Sequence, residues 1–440
     1  MDRQGNLNGE EFENIRGPVP GERTAQLSSV LRAYESRGVT YLGADFPVFW
    51  QSAHGVHVDD VDGNRYLDLT SAFGVANSGH GNPRVAGAIA RQAGNLMHAM
   101  GDVHPTQGRA QLLQRLAEIT PGDLCKTYLC STGAEAVETA LKTAMLATGK
   151  SAFASFHGAY HGLSFGALEV CGIPKFRAPF DSMLAKRTLF LDYPHGSCDF
   201  EHNGARTIRE RLEMRDDIAA LIVEPIQARA GIIVPPEGFL SALRALCTGL
   251  GIVLIFDEIY TGFGRTGKLF AAEHEHVVPD VMCIGKAMAN GFPISAMTAK
   301  AAVMDAWQPS QGEALHTSTY LGNPMGCAAA LANIEEIHRL ELVSRAHELG
   351  RELGERLKAL RRDPNVADVR GRGLMWGIEF RDARTCERIV RRALRKGLIL
   401  LQSGEEGEVL SLTPPLVISQ DQLNHGIEII EELLATPVSP

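Results

Sequence analysis

The chain has 440 residues, 45% of them apolar and 22% charged, which excludes a single small module, a disordered chain and a fibrous one. Forty-three basic against 52 acidic side chains leave a net charge of -9, the wrong sign to draw in a phosphate backbone, so no nucleic-acid partner is expected. Eight cysteines without a Cys-x-x-Cys pair read as reduced thiols; the polar start Met1–Asn6 and the lack of any run near ~18 apolar residues predict no membrane partner and a cytoplasmic location.

In chain order, residues 1–40 read as a mixed, turn-rich arm. Residues 46–50 and 55–59 alternate like short strands, closed by the turn Asp62-Gly63-Asn64. Beyond residue 66 the pattern changes to short apolar runs separated by helical periodicities, the mark of a parallel sheet covered by helices. The runs at 219–223, 251–256 and 281–284 are too continuous for half-exposed strands and predict burial on both faces. Ala136, Val137, Ala140, Leu141 and Ala144 predict a helix over 134–148, and 327–361 reads as one long amphipathic helix. Strands are expected within 366–380 and 398–418, helices over 386–396 and 421–434. The expected fold class is α/β: a large domain over 66–326 with a mostly parallel central sheet, and a smaller α+β domain built from 1–65 and 327–440.

Two glycine-rich stretches are candidate phosphate sites. Gly262-Phe263-Gly264-Arg265-Thr266-Gly267-Lys268 matches G-x-G-x-x-G and falls one residue short of a Walker A loop. Leu269 stands where a hydroxyl must hold magnesium, and Asp257-Glu258 would oppose a pyrophosphate, so neither pattern is satisfied and a plain glycine turn remains. Ser131-Thr132-Gly133-Ala134-Glu135 follows an apolar run and opens the helix from 134, which suits either one phosphate at a helix N-terminus or an ordinary Thr cap.

Asp257 ends the most apolar run, and Lys286 follows the next one among small and apolar neighbours. Burial there lowers a lysine's pKa toward the range in which its neutral amine forms a Schiff base. His157, His161 and the cluster His274-Glu275-His276 could suggest a metal, but the cluster lacks an i, i+4 pairing and reads as a solvated loop, and no metal is expected.

Ser131–Glu138, Tyr160-His161-Gly162, Asp257–Gly267, Gly285-Lys286 and Thr319–Pro324 occur in a fixed order. With them the chain resembles the class III pyridoxal-phosphate aminotransferases of fold type I over about residues 40–435. The resemblance implies that Lys286 is the Schiff-base lysine and proton shuttle, and that Asp257 keeps the pyridine nitrogen protonated. It implies phosphate contacts from the Gly133 and Ala134 amides, helped by Thr319 from the neighbouring subunit of a homodimer, with Ser131, Thr132 and Ser318 also among the cofactor-binding residues. Tyr160 and Ile259 would flank the ring, with His161, Glu224 and Tyr260 completing the cofactor shell; Tyr260 replaces a common Gln and would offer its hydroxyl to the cofactor's phenolic oxygen.

Relatives that use 2-oxoglutarate carry Arg where this chain has Leu163 and Ser411, and a Glu where it has Arg229. A small-molecule amine or amino acid paired with a pyruvate-type keto acid is therefore expected: either Arg229 receives a substrate carboxylate, or the substrate is hydrophobic and enters a pocket that includes Phe73, unless Arg229 simply points to solvent. A pyridoxal-phosphate racemase or epimerase on the same scaffold is the rival reading, because it needs no dicarboxylate arginines.

Overall fold

In the computed structural model, which describes residues 12–196 and 204–436, the strands form three sheets. They are β1 (Trp50–His54), β2 (His57–Asp60), β3 (Arg65–Asp68), β4 (Leu124–Cys130), β5 (Ala152–Phe156), β6 (Thr188–Leu191), β7 (Ile218–Val223), β8 (Val253–Asp257), β9 (Val281–Ile284) and β10 (Ser295–Lys300). After them come β11 (Val366–Arg372), β12 (Met375–Phe380), β13 (Leu398–Ile399), β14 (Leu401–Ser403) and β15 (Val409–Leu412).

The central sheet has the order β4-β10-β9-β8-β7-β5-β6, parallel from β6 through β9 and antiparallel only where β10 meets β9 and β4. Every residue of β7, β8 and β9 is buried, which is why their sequences are unbroken apolar runs. The helix Gly133–Thr148 lays Val137, Ala140 and Leu141 on one face of this sheet beside Ile222, Ile255 and Cys283. Each large aliphatic side chain buried in this way contributes about 1.5–3 kcal/mol. On the other face Phe239, Leu243 and Leu246 of the helix Phe239–Leu250 join a cluster with Leu221, Leu254 and Phe256.

Both chain ends share a second sheet, β1-β2-β3-β13, in which β13 runs parallel to β3. The third sheet, β11-β12-β15-β14, is antiparallel and covered by the helices Leu342–Ala359 and Ala383–Arg395. This is the α/β fold with a smaller α+β part that the sequence predicts.

Several local expectations are corrected. The arm expected over 1–40 contains the helix Glu22–Tyr34, whose first amides at Arg23 and Thr24 donate to the Asp62 carboxylate at 2.7 and 3.1 Å; residues 1–11 lie outside the described part. The first strand starts at Trp50, not residue 46, since Pro47 has no amide for a ladder, and the Asp62-Gly63-Asn64 turn joins β2 to β3. The helix expected over 327–361 is two, Pro324–Arg339 and Leu342–Ala359, broken where Glu341 adopts a left-handed φ of 51°. His274 closes the short helix Ala271–His274 and bonds Thr266 Oγ1 at 3.0 Å, so it is packed rather than solvated, while Glu275 is half-buried and His276 exposed. Among the described residues no helix is long and apolar enough to cross a membrane.

Candidate active site

Four strands of the central sheet deliver the predicted residues at one edge. The carboxyl ends of β4, β7, β8 and β9 lead directly into Ser131, Glu224, Asp257 and Gly285-Lys286, the place where open α/β sheets hold ligands.

Asp257 is 4% exposed, and its Oδ2 lies 2.8 Å from Nδ1 of buried His161 while Oδ1 accepts the Ile259 amide at 3.1 Å. His161 Nε2 is buried without a hydrogen-bond partner among the described residues. Glu224 accepts the Tyr160 amide at 2.9 Å and the Ala228 amide at 3.1 Å, and burial pushes its carboxyl up to about 7. Lys286 is half-buried, and desolvation lowers the pKa of its amine, a shift opposed by the charges of Asp257 and Glu224. Its Nζ stands 4.2 Å from the centroid of the Tyr260 ring, and its backbone is left-handed, with φ 42°.

The Tyr260 hydroxyl sits 3.2 Å from Thr413 Oγ1, so what it presents to Lys286 is its ring face rather than a free hydroxyl. Ile259 packs between the Gly133 turn and Gly285: a Cβ on Gly133 would come within 2.8 Å of Ile259 Cδ1. Thr132 caps the helix Gly133–Thr148 by accepting the Glu135 amide at 3.3 Å, and the Ser131 amide donates to the Glu135 carboxylate at 2.8 Å. The amides of Gly133 and Ala134, in the first turn, have no intrahelical acceptor. Gly162, with φ 124°, lets the aromatic turn approach this helix start, since a Cβ there would lie 2.7 Å from Ala134 Cβ.

Other predicted residues stand further out. Ser318 and Thr319 are exposed in this chain, as is Leu163. Phe73 is also exposed and lines an apolar cavity of about 310 Å³ with Phe46, Trp50, Val390, Leu394 and Leu401. Ser411 is buried in β15 with its hydroxyl on Ser403 Oγ, whereas Arg229 is half-buried on the turn after Glu224.

One residue escaped the sequence reading. Arg265, inside the glycine segment, is fully buried and donates to the carbonyls of Leu374 at 2.8 Å and Pro414 at 2.7 Å, to Ser71 Oγ at 3.1 Å and to Asn77 Oδ1. Ser71 opens three successive non-glycine residues with left-handed φ, Ser71, Ala72 and Phe73 at 48°, 49° and 65°. Such backbone costs of order 1–3 kcal/mol per residue and persists only when surrounding bonds hold it. The signal in the sequence was an arginine amid small and apolar residues.

A family model described as Aminotransferase class-III matches residues 41–434. The chain belongs to the class III aminotransferases. It is 36% identical over 446 residues to a 4-aminobutyrate aminotransferase of Mycobacterium leprae, covering 97% of this chain and 98% of that one. It is 37% identical to an acetylornithine aminotransferase of Methanosarcina mazei over 88% of this chain and 91% of its relative. Among solved structures, a Bacillus anthracis aminotransferase superposes with TM-score 0.88 at 28% identity, covering 94% of this chain and 98% of that one. A PLP-bound amine transaminase from an uncultivated Pseudomonas species superposes with TM-score 0.84 at 29% identity, over 91% and 98% of the two chains. The fold is fold type I, the cofactor is pyridoxal phosphate and the activity is aminotransfer; these relatives do not favour racemisation.

Proposed function

We propose that this aminotransferase moves an amino group from an amine or amino acid to a pyruvate-type keto acid, with Lys286 and Asp257 as its catalytic residues. The observation that carries this reading is the desolvated Lys286 amine at the sheet edge that also carries the Asp257–His161 pair. The donor set fits the cofactor: two first-turn amides for a phosphate, a buried carboxylate for a ring nitrogen, and a half-buried amine for an aldehyde. When bound, pyridoxal phosphate supplies a carbonyl that joins primary amines and a ring that withdraws electrons from the carbon beside the nitrogen.

The protein does the rest. Ser131, Thr132, Gly133 and Ala134 would hold the phosphate at the positive end of the helix, and Ile259 and Tyr160 would flank the cofactor. Asp257, oriented by His161, would keep a proton on the ring nitrogen, and Glu224 fixes the Tyr160 backbone. Lys286, desolvated and facing the Tyr260 ring, is poised as a neutral amine to take the proton from the substrate carbon and return it one atom away. The buried neutral Ser411 and the apolar Leu163 offer no charge to a second carboxylate, which argues against 2-oxoglutarate, and Phe73 offers its apolar cavity to a hydrophobic substituent.

The working form is a homodimer. Leu96, Met97, Met100, Leu315 and Tyr320 form an exposed apolar region beside Ser318 and Thr319, of the kind that a second copy covers. The domain division at 65/66 and 326/327 and a cytoplasmic location belong to the same reading. Incubation with a set of amines and either keto acid tests it: turnover with pyruvate should exceed turnover with 2-oxoglutarate, and a clear preference for 2-oxoglutarate would overturn the acceptor assignment.

A further inference from the structure

The turn that follows Glu224 is pinned from several sides. Gln227 pairs with Ile233 across it, and the Gln227 side chain donates to the His157 carbonyl at 2.9 Å. Gly404 donates its amide to the Arg229 carbonyl at 3.0 Å, and Arg370 donates to the Gly231 carbonyl through both Nε and Nη2, at 3.0 and 2.7 Å. This backbone is fixed, but the side chain at its tip is not engaged: the Arg229 guanidinium has no hydrogen-bond acceptor or carboxylate partner among the described residues. It borders a cavity of about 720 Å³ and, with Lys175, also a second one of about 280 Å³ that Gln402 and Ser403 line.

Of the carboxylates around these cavities, three are held by other arginines, while Asp192, Glu405 and Glu406 are exposed. Asp368 and Glu379 pair with Arg370, and Glu387 pairs with Arg391. Glu408 accepts the Glu406 amide at 2.9 Å, and Lys175 Nζ donates to the Glu405 carbonyl at 3.3 Å. A half-buried guanidinium on a rigid turn, unpaired and open to a cavity, is preorganised for a planar two-oxygen anion. In aminotransfer to a keto acid, one partner of every turnover carries such a group, so this argument rests on the aminotransferase reading.

From this geometry we infer that Arg229 is the receptor for the substrate carboxylate and sets specificity for a monocarboxylic amino acid and keto acid pair. The preceding residue, Ala228, donates its amide to the Glu224 carboxylate that also holds the Tyr160 amide, and it belongs to the apolar cluster against which Tyr260, facing Lys286, is packed, so the turn that carries Arg229 borders the site of the reacting amine. The neutral Ser403–Ser411 hydroxyl pair leaves this role to the turn rather than to β15.

Calorimetric titration of the holoenzyme with propionate and with propionamide, in the parent, R229Q and R229K, tests the assignment. R229Q should weaken propionate about 10- to 100-fold, the usual worth of a charge-assisted pair of bonds, leave propionamide unchanged, and be partly rescued in R229K. In turnover, KM for pyruvate should rise by a similar factor while KM for the uncharged acceptor propanal stays fixed. Propionate affinity that moves less than about threefold in R229Q overturns the inference, as does an equal loss for propionamide, which would mark a structural role. A parent enzyme that transfers amino groups while R229Q binds propionate normally would remove only this assignment; a parent that transfers none to any keto acid would remove the reading beneath it.

Discussion

Replacing Arg265 by methionine sets two opposing energies against each other. With no carboxylate in contact among the described residues, burial pushes this guanidinium down to about 10 from 12.5. At about 1.4 kcal/mol for each pH unit, methionine would relieve roughly 3 kcal/mol of charge-burial cost. It would also strand the Leu374 and Pro414 carbonyls, the Ser71 hydroxyl and the Asn77 amide oxygen, which now accept from the arginine. A buried acceptor left without a donor costs about 1–3 kcal/mol. Four such acceptors together cost about 4–12 kcal/mol, more than the relief throughout that range, and the net loss is about 4–5 kcal/mol at its middle, with the left-handed Ser71–Phe73 backbone losing one of its anchors as well. Calorimetric melting of the holoenzyme should show R265M falling by about 5 °C or more, with R265K, which keeps the charge but not the reach, in between. An R265M midpoint within about 1 °C of the parent would refute the reasoning, because it would mean that the four acceptors find other donors.

Gly162→Ala should raise the dissociation constant for pyridoxal phosphate at least about tenfold, because its Cβ would sit 2.7 Å from Ala134 Cβ at a φ of 124°; cofactor titration of the apoenzyme checks this, and an unchanged constant would contradict it. Glu224 gives a pH signature. Burial raises its folded pKa to about 7 from 4.5, so the folded chain keeps a proton that the unfolded chain releases. This stabilisation is complete below about pH 4.5 and is lost as pH rises through about 7, so Glu224→Gln should flatten the decline of melting temperature between those values. Parallel melting profiles in the parent and E224Q would count against the assignment.

The central sheet was legible because its strands are buried on both faces, and continuous apolar runs such as 219–223 admit few other readings. The catalytic edge followed, since Asp257 and Lys286 each end such a run and the fold brings those ends together. What the sequence hid depends on contacts between distant residues. The helix Glu22–Tyr34 takes its cap from Asp62, 38 or 39 positions away from the amides it serves. Glu341 breaks a helical pattern without a glycine or proline to announce it. Arg265 reads as part of a glycine loop because its four acceptors come from three separate stretches of chain. The hydroxyl of Tyr260 was expected at the cofactor, and its engagement with Thr413 could not be foreseen from residues 153 positions apart.

The account depends most on the identity of the reacting amine. Borohydride reduction of the holoenzyme, followed by peptide mass mapping, should place a pyridoxyl adduct on the peptide that contains Lys286 and on no other, and K286A should carry none. An adduct on a different lysine, or a parent enzyme that carries none, would contradict it.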